Sequence, residues 1–262
     1  MARTPAMLLL TTFALTAPAA AQELYQPKAI RTVVIDPGHG GANLGALGIT
    51  GAYEKDVNLA IARMLRQALE TRTGIRVLLT RDDDRDVPFD ERIGLANREN
   101  ADLFISLHCN ASFNQRASGI ETFVLSEVAL QEESEKLATR RVSRQGRLAA
   151  AETDSAAAVV KDLFQSTAPS RAKAFAEHLI TRMVKRTGSK SRGVKDMPAM
   201  VLRGAEMPAV VVELGFLSHV SEGRRLASEE FQKVYASSLY YSILDEDERL
   251  AKLQGPDRVA TD

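Results

Sequence analysis

The sequence predicts an α/β fold, a single domain with a mostly parallel sheet of about six strands and helices on both faces. Short apolar, β-branched runs alternate along the chain with segments whose apolar residues recur at helical spacing, an order that is typical of parallel sheets. Two of these runs, 103–107 and 209–212, are almost entirely apolar, as expected for strands that are buried on both faces. Apolar residues make up 45% of the 262 residues, enough for one substantial core.

Apolar runs bounded by turn residues predict six strands. In chain order they are Thr32–Asp36, Arg76–Thr80, Leu103–His108, Ile120–Leu125, Ala199–Leu202 and Ala209–Leu214. Apolar residues at helical spacing predict four helices. These are Lys55–Thr71, which Gly74 ends, Asp90–Arg98, Ser170–Thr187 and Glu229–Ile243.

The first residues have the pattern of an export signal. The apolar stretch 6–17 follows Arg3 and is only 12 residues long, whereas a membrane span needs roughly 20. The small residues Ala19-Ala20-Ala21 supply a cleavage site. We therefore predict a secretory signal at residues 1–21 and a periplasmic mature protein without a transmembrane segment; the alternative is an uncleaved signal anchor.

The rest of the chain divides by composition into a folded domain at 30–246 and a polar tail at 247–262. Within the domain, residues 127–169 are charged and rich in alanine, which predicts an inserted, largely helical segment.

Charge and cysteine content exclude several functions. The 34 basic and 34 acidic residues cancel, whereas nucleic-acid binding depends on clustered basic charge. Cys109 is the single cysteine, so the chain has neither an internal disulfide nor a zinc site built from cysteines. The stretch GHGGAN does not complete a dinucleotide-binding motif.

Polar residues follow three of the predicted strands. His39, His108 and Glu213 each stand at a carboxyl end, where the active sites of such sheets are found. A single strand-end histidine is more often structural than a metal ligand, but two that converge at one edge favour a metal site. His178 and His219 have the settings of surface or capping residues.

Catalytic zinc usually has three protein ligands and an open position for water. Glu54 is the candidate third ligand, because it follows a glycine-rich loop that could fold back over the strand ends. The alternative is that Glu54 only complements the positive end of the helix that it begins.

Glu213 follows a strand of apolar residues, where an unpaired carboxylate is costly. Beside a metal ion it would serve as a general base. The alternative is a structural salt bridge to an arginine such as Arg92 or Arg203.

Four blocks of the sequence, in order, carry a family resemblance. The blocks are VVIDPGHGG, Glu54 at a helix start, ERIGLANRENADLFISLHCNAS and MPAVVVELGFLSH. They resemble the zinc-dependent N-acetylmuramoyl-L-alanine amidases that cleave bacterial peptidoglycan. The resemblance extends from about residue 31 to residue 244 and implies the same α/β fold.

By that resemblance, His39, Glu54 and His108 would bind Zn²⁺ and Glu213 would be the catalytic glutamate. The substrate would be peptidoglycan, cleaved at the amide between N-acetylmuramic acid and the L-alanine of the stem peptide. Cys109 stands where the family usually has a small residue; strand alternation predicts that it points away from the site. His219 replaces a more usual asparagine.

The insertion at 127–169 resembles that of envelope amidases that act in cell division. In that subgroup an extra helical region can cover the zinc site, with a glutamate at the open position, until a protein activator displaces it. Glu132, Glu133, Glu135 and Glu152 are candidates here. The competing functions are another zinc peptidase or carboxypeptidase, and a non-catalytic regulatory module.

Overall fold

The computed structural model describes residues 24–132 and 155–254. The predicted signal segment at 1–21 lies outside these ranges. None of the helices within them combines the length and the apolar character that crossing a bilayer requires.

The fold is built on one six-stranded sheet, as the sequence predicted. Its strands are β1 (Thr32–Pro37), β2 (Arg76–Leu79), β3 (Leu103–Asn110), β4 (Ile120–Leu125), β5 (Ser191–Met197) and β6 (Ala209–Phe216). They lie in the order β2-β1-β3-β6-β4-β5. The first four in that order are parallel, and β4 and β5 run in the opposite direction. The sheet is therefore mostly parallel, with one reversal between β6 and β4.

Helices cover both faces of the sheet, which confirms the predicted layers. They are α1 (Glu54–Arg72), α2 (Phe89–Arg98), α3 (Ser155–Thr187), α4 (Val220–Leu226) and α5 (Glu229–Gln254). The larger core lies under α1, α3 and α5, where Ile35, Ile105 and Val212 are fully buried. The smaller core lies under α2 and the 3-10 turn Met200–Leu202, where Val34 and Phe104 are fully buried.

One predicted strand is wrong. Residues 200–202 of the predicted strand form the 3-10 turn, and the strand at this edge of the sheet is β5, Ser191–Met197. Its sequence, SRGVKDM, is mostly polar because its side chains are largely part-exposed at the edge of the sheet. A periodicity that depends on burial does not reveal such a strand.

Two helix boundaries also differ from the prediction by many residues. Helix α3 begins at Ser155 rather than Ser170 and contains Pro169, so the end of the predicted insertion at 127–169 belongs to this helix. Residues 127–132 are helical as well, and residues 133–154 lie outside the described ranges. Helix α5 continues to Gln254 and buries Asp247, so residues 247–254 are not a tail.

Candidate metal centre

His39 lies in the turn that follows β1. Its backbone has a positive φ of 61°, an uncommon conformation for a residue with a side chain. Asn43 Oδ1 lies 2.8 Å from the Nδ1 atom of His39 and fixes the direction of the ring. The Nε2 atom then points to Glu54, 3.0 Å from Oε1. Such a hydrogen bond on the far ring nitrogen is the usual support of a metal-binding histidine.

Glu54 is the first residue of α1, and its buried carboxylate lies between the two histidines. Its Oε1 atom is 2.9 Å from His108 Nδ1 and accepts a hydrogen bond from the Cys109 amide at 3.0 Å. Its Oε2 atom accepts the Ala46 amide at 2.8 Å. Burial raises the pKa of Glu54, but the hydrogen bonds to His108 and His39 outweigh it and the net pKa is lowered. Glu54 therefore does more than complement the helix end.

His108 lies near the end of β3, against the turn that carries His39. The two imidazole rings meet edge to face, with centroids 4.9 Å apart. Gly38 permits this approach, because a Cβ atom at that position would overlap the His108 ring. The ligand atoms of His39, Glu54 and His108 all lie within 4.8 Å of one another. The structure thus brings together the three predicted residues in a group that could hold a metal ion.

Glu213 lies beside this group on β6, where its backbone is in register with His108 of β3. Its Oε2 atom is buried and has no hydrogen-bond partner among the described residues. Burial raises the pKa of Glu213 to about 7. The salt bridge considered as its alternative role is not formed with Arg92, which pairs with Asp36 at 2.7 Å. Arg203, the other arginine considered, pairs with Glu132.

Two buried arginines support the metal centre and were not predicted. Arg81 donates to the carbonyls of Pro37, Gly38 and Lys55 at 2.8–2.9 Å. Arg92 donates to the carbonyls of Pro37 and His39 at 3.0 Å. Together they fix the turn that presents His39 and, through Lys55, the start of α1. Apart from the Arg92–Asp36 pair, these partners are backbone atoms, which leave no pattern in the sequence.

The remaining histidines lie away from the metal group. His178 is exposed, with its Nδ1 atom 4.0 Å from Glu246. His219 caps α4, where its Nδ1 atom accepts the Glu222 amide at 3.2 Å. Both occupy the surface or capping settings that the sequence indicated.

Cys109 is buried, and its thiol lies 3.4 Å from Asn58 Oδ1 under α1. Burial raises the pKa of this thiol, which makes it unreactive. Its side chain belongs to the larger core, on the face opposite that of its neighbour His108, as alternation predicted.

Of the four glutamates proposed to block the metal, one is described. Glu132 pairs with Arg203 at 2.8 Å and is not a member of the metal group. Glu133, Glu135 and Glu152 lie outside the described residues.

Comparison with known proteins places this fold. The N-acetylmuramoyl-L-alanine amidase family model matches residues 33–245. The amidase AmiA of Escherichia coli K12 is 31% identical over 218 residues, 82% of this chain and 75% of AmiA. The catalytic domain of CwlV from Bacillus (Paenibacillus) polymyxa has a TM-score of 0.63 at 28% identity, covering 82% of this chain and 97% of that domain. An N-acetylmuramoyl-L-alanine amidase from Clostridium difficile 630 also has a TM-score of 0.63, at 30% identity, covering 83% and 96%. Because the match extends from the first strand into the last helix, this chain belongs to the N-acetylmuramoyl-L-alanine amidase family.

Proposed function

We propose that the chain is a peptidoglycan hydrolase that cleaves the amide between the lactyl group of N-acetylmuramic acid and the L-alanine of the stem peptide. Family membership supports the reaction, and the group of His39, Glu54 and His108 beside Glu213 supports the mechanism.

The donor set fits zinc. Two imidazole nitrogens and one carboxylate oxygen are the ligand types of catalytic zinc sites, and here they converge from the turn after β1, from α1 and from β3. A zinc ion bound there would supply Lewis-acid chemistry, since zinc lowers the pKa of water towards neutrality and polarises a carbonyl group. His39 and His108 would bind as neutral rings, and Glu54 as a carboxylate.

Glu213 acts as the general base in this proposal. Its carboxylate, whose Oε2 atom has no hydrogen-bond partner among the described residues, would take a proton from the attacking water, and the protonated carboxyl would then give that proton to the departing amine of alanine. Burial raises the pKa of Glu213, which favours a group that must both gain and lose the proton. The observation that carries the mechanism is the position of Glu213, in register with His108 and with a buried, unpartnered Oε2 atom.

The test is product analysis on muropeptides together with metal content. We expect free stem peptides and intact glycan strands from the wild type, and about one zinc ion per chain. Glu213→Gln should keep the metal and lose roughly 100-fold or more in kcat, the usual range for a general base. Cleavage within the peptide would identify the competing zinc peptidase, and a metal-free, inactive wild type would identify a regulatory module.

The proposal extends to location and regulation. The apolar segment at 6–17 and the small residues before position 22 support export to the periplasm, which fractionation of cells expressing the full chain would test. A covering role for residues 127–169, released by a protein activator during cell division, stays a prediction. Deletion of 127–169 should then raise activity on peptidoglycan, and unchanged activity would contradict it.

A further inference from the structure

Two basic side chains meet on one buried acid beside Glu213. The acid is Glu121, near the start of β4, whose backbone is in register with Glu213 of β6. Glu213 is in turn in register with His108 of β3. The three residues therefore form a row on one face of the sheet. Since neighbouring strands lie about 4.8 Å apart, the row places Glu121 roughly 10 Å from His108.

Glu121 has hydrogen-bond donors on both oxygens. Arg192 Nε donates to Oε2 at 2.8 Å, and Lys195 Nζ donates to the same oxygen. Asn110 Nδ2 donates to Oε1 at 2.8 Å. Burial raises the pKa of Glu121, but the hydrogen bonds from Lys195 and Arg192 outweigh it and the net pKa is lowered. One carboxylate thus faces two cations, which leaves a surplus of one positive charge at the end of the row.

Arg192 is held in place from several sides. Its side chain passes directly over Gly119, where a Cβ atom would lie 3.0 Å from Arg192 Cγ. Its guanidinium carbon lies 5.0 Å from the centre of the Phe216 ring. The side chain nevertheless remains 32% exposed, and that of Lys195 41% exposed. Within residues 24–132 and 155–254, Arg192 donates to Glu121 through Nε, and its two Nη groups have no hydrogen-bond partner there.

We propose that Arg192 and Lys195, ordered by Glu121, form a subsite for a carboxylate of the substrate's peptide, on the leaving-group side of the scissile amide. The inference rests on the proposed function. A guanidinium edge with both Nη groups available matches the planar geometry of a carboxylate. The neutral hydroxyls of a sugar do not require surplus positive charge, whereas a peptide with acidic residues supplies its counter-charge.

The length of the row indicates which carboxylate is bound. An extended residue spans about 3.3–3.6 Å, so the backbone separation of His108 and Glu121, about 10 Å across two strand spacings, corresponds to roughly three residues. The subsite therefore fits an acidic group on the second or third residue of the peptide, beyond the alanine that departs.

The experiment compares two substrates on the metal-loaded full chain. Both are N-acetylmuramoyl-L-alanyl tripeptides with acidic second and third residues; one has free carboxylates and the other has every carboxylate converted to a carboxamide. We expect the wild type to prefer the free acid by roughly 10- to 100-fold in kcat/KM, as for loss of a hydrogen-bonded charge. Arg192→Gln with Lys195→Gln should abolish that preference, mainly by slowing cleavage of the acid.

A second variant guards against a folding artefact. Removing both cations leaves Glu121 buried and unpaired, which is destabilising. The triple variant that adds Glu121→Gln removes this charge and should show the same lost preference. The control is Arg63→Gln with Arg66→Gln, because these two arginines also share one carboxylate, that of Asp82 at 2.9 Å each, beside the opposite edge strand β2. This control should keep the wild-type preference.

Binding of the released peptide separates this inference from the proposed function. Calorimetry with the L-alanyl peptide, as free acid and as amide, requires no turnover. Preferential binding of the acid that is lost in both subsite variants supports the subsite even if hydrolysis fails. Equal losses on acid and amide substrates, or an unchanged preference in the variants, would overturn the subsite while leaving the hydrolase intact.

Discussion

Glu54, Glu121 and Glu213 lie at the same end of the sheet's strands, yet their carboxylates have different surroundings. Glu54 receives hydrogen bonds from two backbone amides and contacts two imidazoles. Glu121 is bound by two cations and an amide. Glu213 has a buried oxygen without a partner. Of the three, Glu213 is therefore the acid whose proton can be exchanged near neutral pH.

The destabilisation caused by ionising the Glu213 carboxyl can be measured in protein that has been treated with a chelator. The folded-state pKa of Glu213, about 7, exceeds its ordinary value of 4.5, so the penalty is absent below pH 4.5 and fully developed above pH 7. Glu213→Gln should raise the free energy of unfolding by about 3 kcal/mol at pH 8, because the shift from 4.5 to about 7 is worth roughly 1.4 kcal/mol per unit. At pH 5 the gain should be much smaller. Denaturant unfolding at the two pH values tests this, and an equal gain at both would contradict it.

Gly38 gives a second prediction at this scale. Gly38→Ala places a methyl group against the His108 ring, which must move away from Glu54. We expect zinc affinity to fall at least 10-fold, the usual effect of disturbing the support of a metal ligand, measured by competition with a chromogenic chelator. The control is Gly94→Ala in α2, where the added Cβ meets only the end of the Arg98 side chain. Unchanged affinity in Gly38→Ala would contradict the prediction.

The sequence predicted the centre of this site but not its support. The ends of parallel strands identify His39, His108 and Glu213, since those ends share one edge of the sheet. Glu54 could be predicted from the sequence because a glycine-rich loop precedes it. Arg81 and Arg92 could not be predicted, since an arginine that donates to backbone carbonyls has the same sequence context as one on the surface.

At the scale of elements, the end of α5 fastens the segment that precedes β1. The buried carboxylate of Asp247 accepts the amides of Ala29 and Ile30 at 2.6 Å and that of Lys28 at 2.8 Å. It also accepts the hydroxyl of Tyr25 at 2.7 Å. The residues around position 247 are thus a structural clasp between the two ends of the described fold.

Asp247→Asn should weaken this clasp. The amide can accept fewer of these hydrogen bonds, and its own donors meet other donors, so we expect a loss of about 2–3 kcal/mol. Urea unfolding measures it. Asp245→Asn is the matched control, since Asp245 pairs with Arg182 on the surface and such pairs contribute up to about 1 kcal/mol. Similar midpoints for the two variants would contradict the prediction.

The elements differ in how far their sequence reveals them. The buried strands β1, β3 and β6 were predicted because burial selects apolar residues, whereas the edge strand β5 was misplaced because its polar residues have no such periodicity. The same polarity hid the basic residues of the proposed subsite, which lie on β5. The end of α5 was placed too early for a similar reason, since its polar residues read as a tail.

Across the whole molecule, the metal ligands link parts of the chain that are distant in sequence. Residues from the turn after β1, from α1 and from β3 converge on one site, so a bound ion would stabilise the folded state. Zinc at 100 times its Kd should add about 2.7 kcal/mol to the chelator-treated protein, observed as a higher Tm. His108→Ala should abolish this increase, and His178→Ala should retain it. An increase that survives in His108→Ala would place the ion elsewhere.

The reversal of β4 has a consequence for any cover over the metal. Strand β4 starts beside the metal site, at the end of the sheet where β3 and β6 finish, and runs away from it. The chain therefore leaves β4 at Leu125, at the opposite end of the strands. Helix α3, about 50 Å long, reaches the end of the sheet that carries the metal site only at its last turn, just before β5. A cover formed by the connection between β4 and α3 would therefore have to extend along the full length of a strand, about 20 Å for six residues. If the proposed cover is formed by this connection, stepwise shortening of the connection should expose the metal site at a threshold length, with every side chain of the site unchanged.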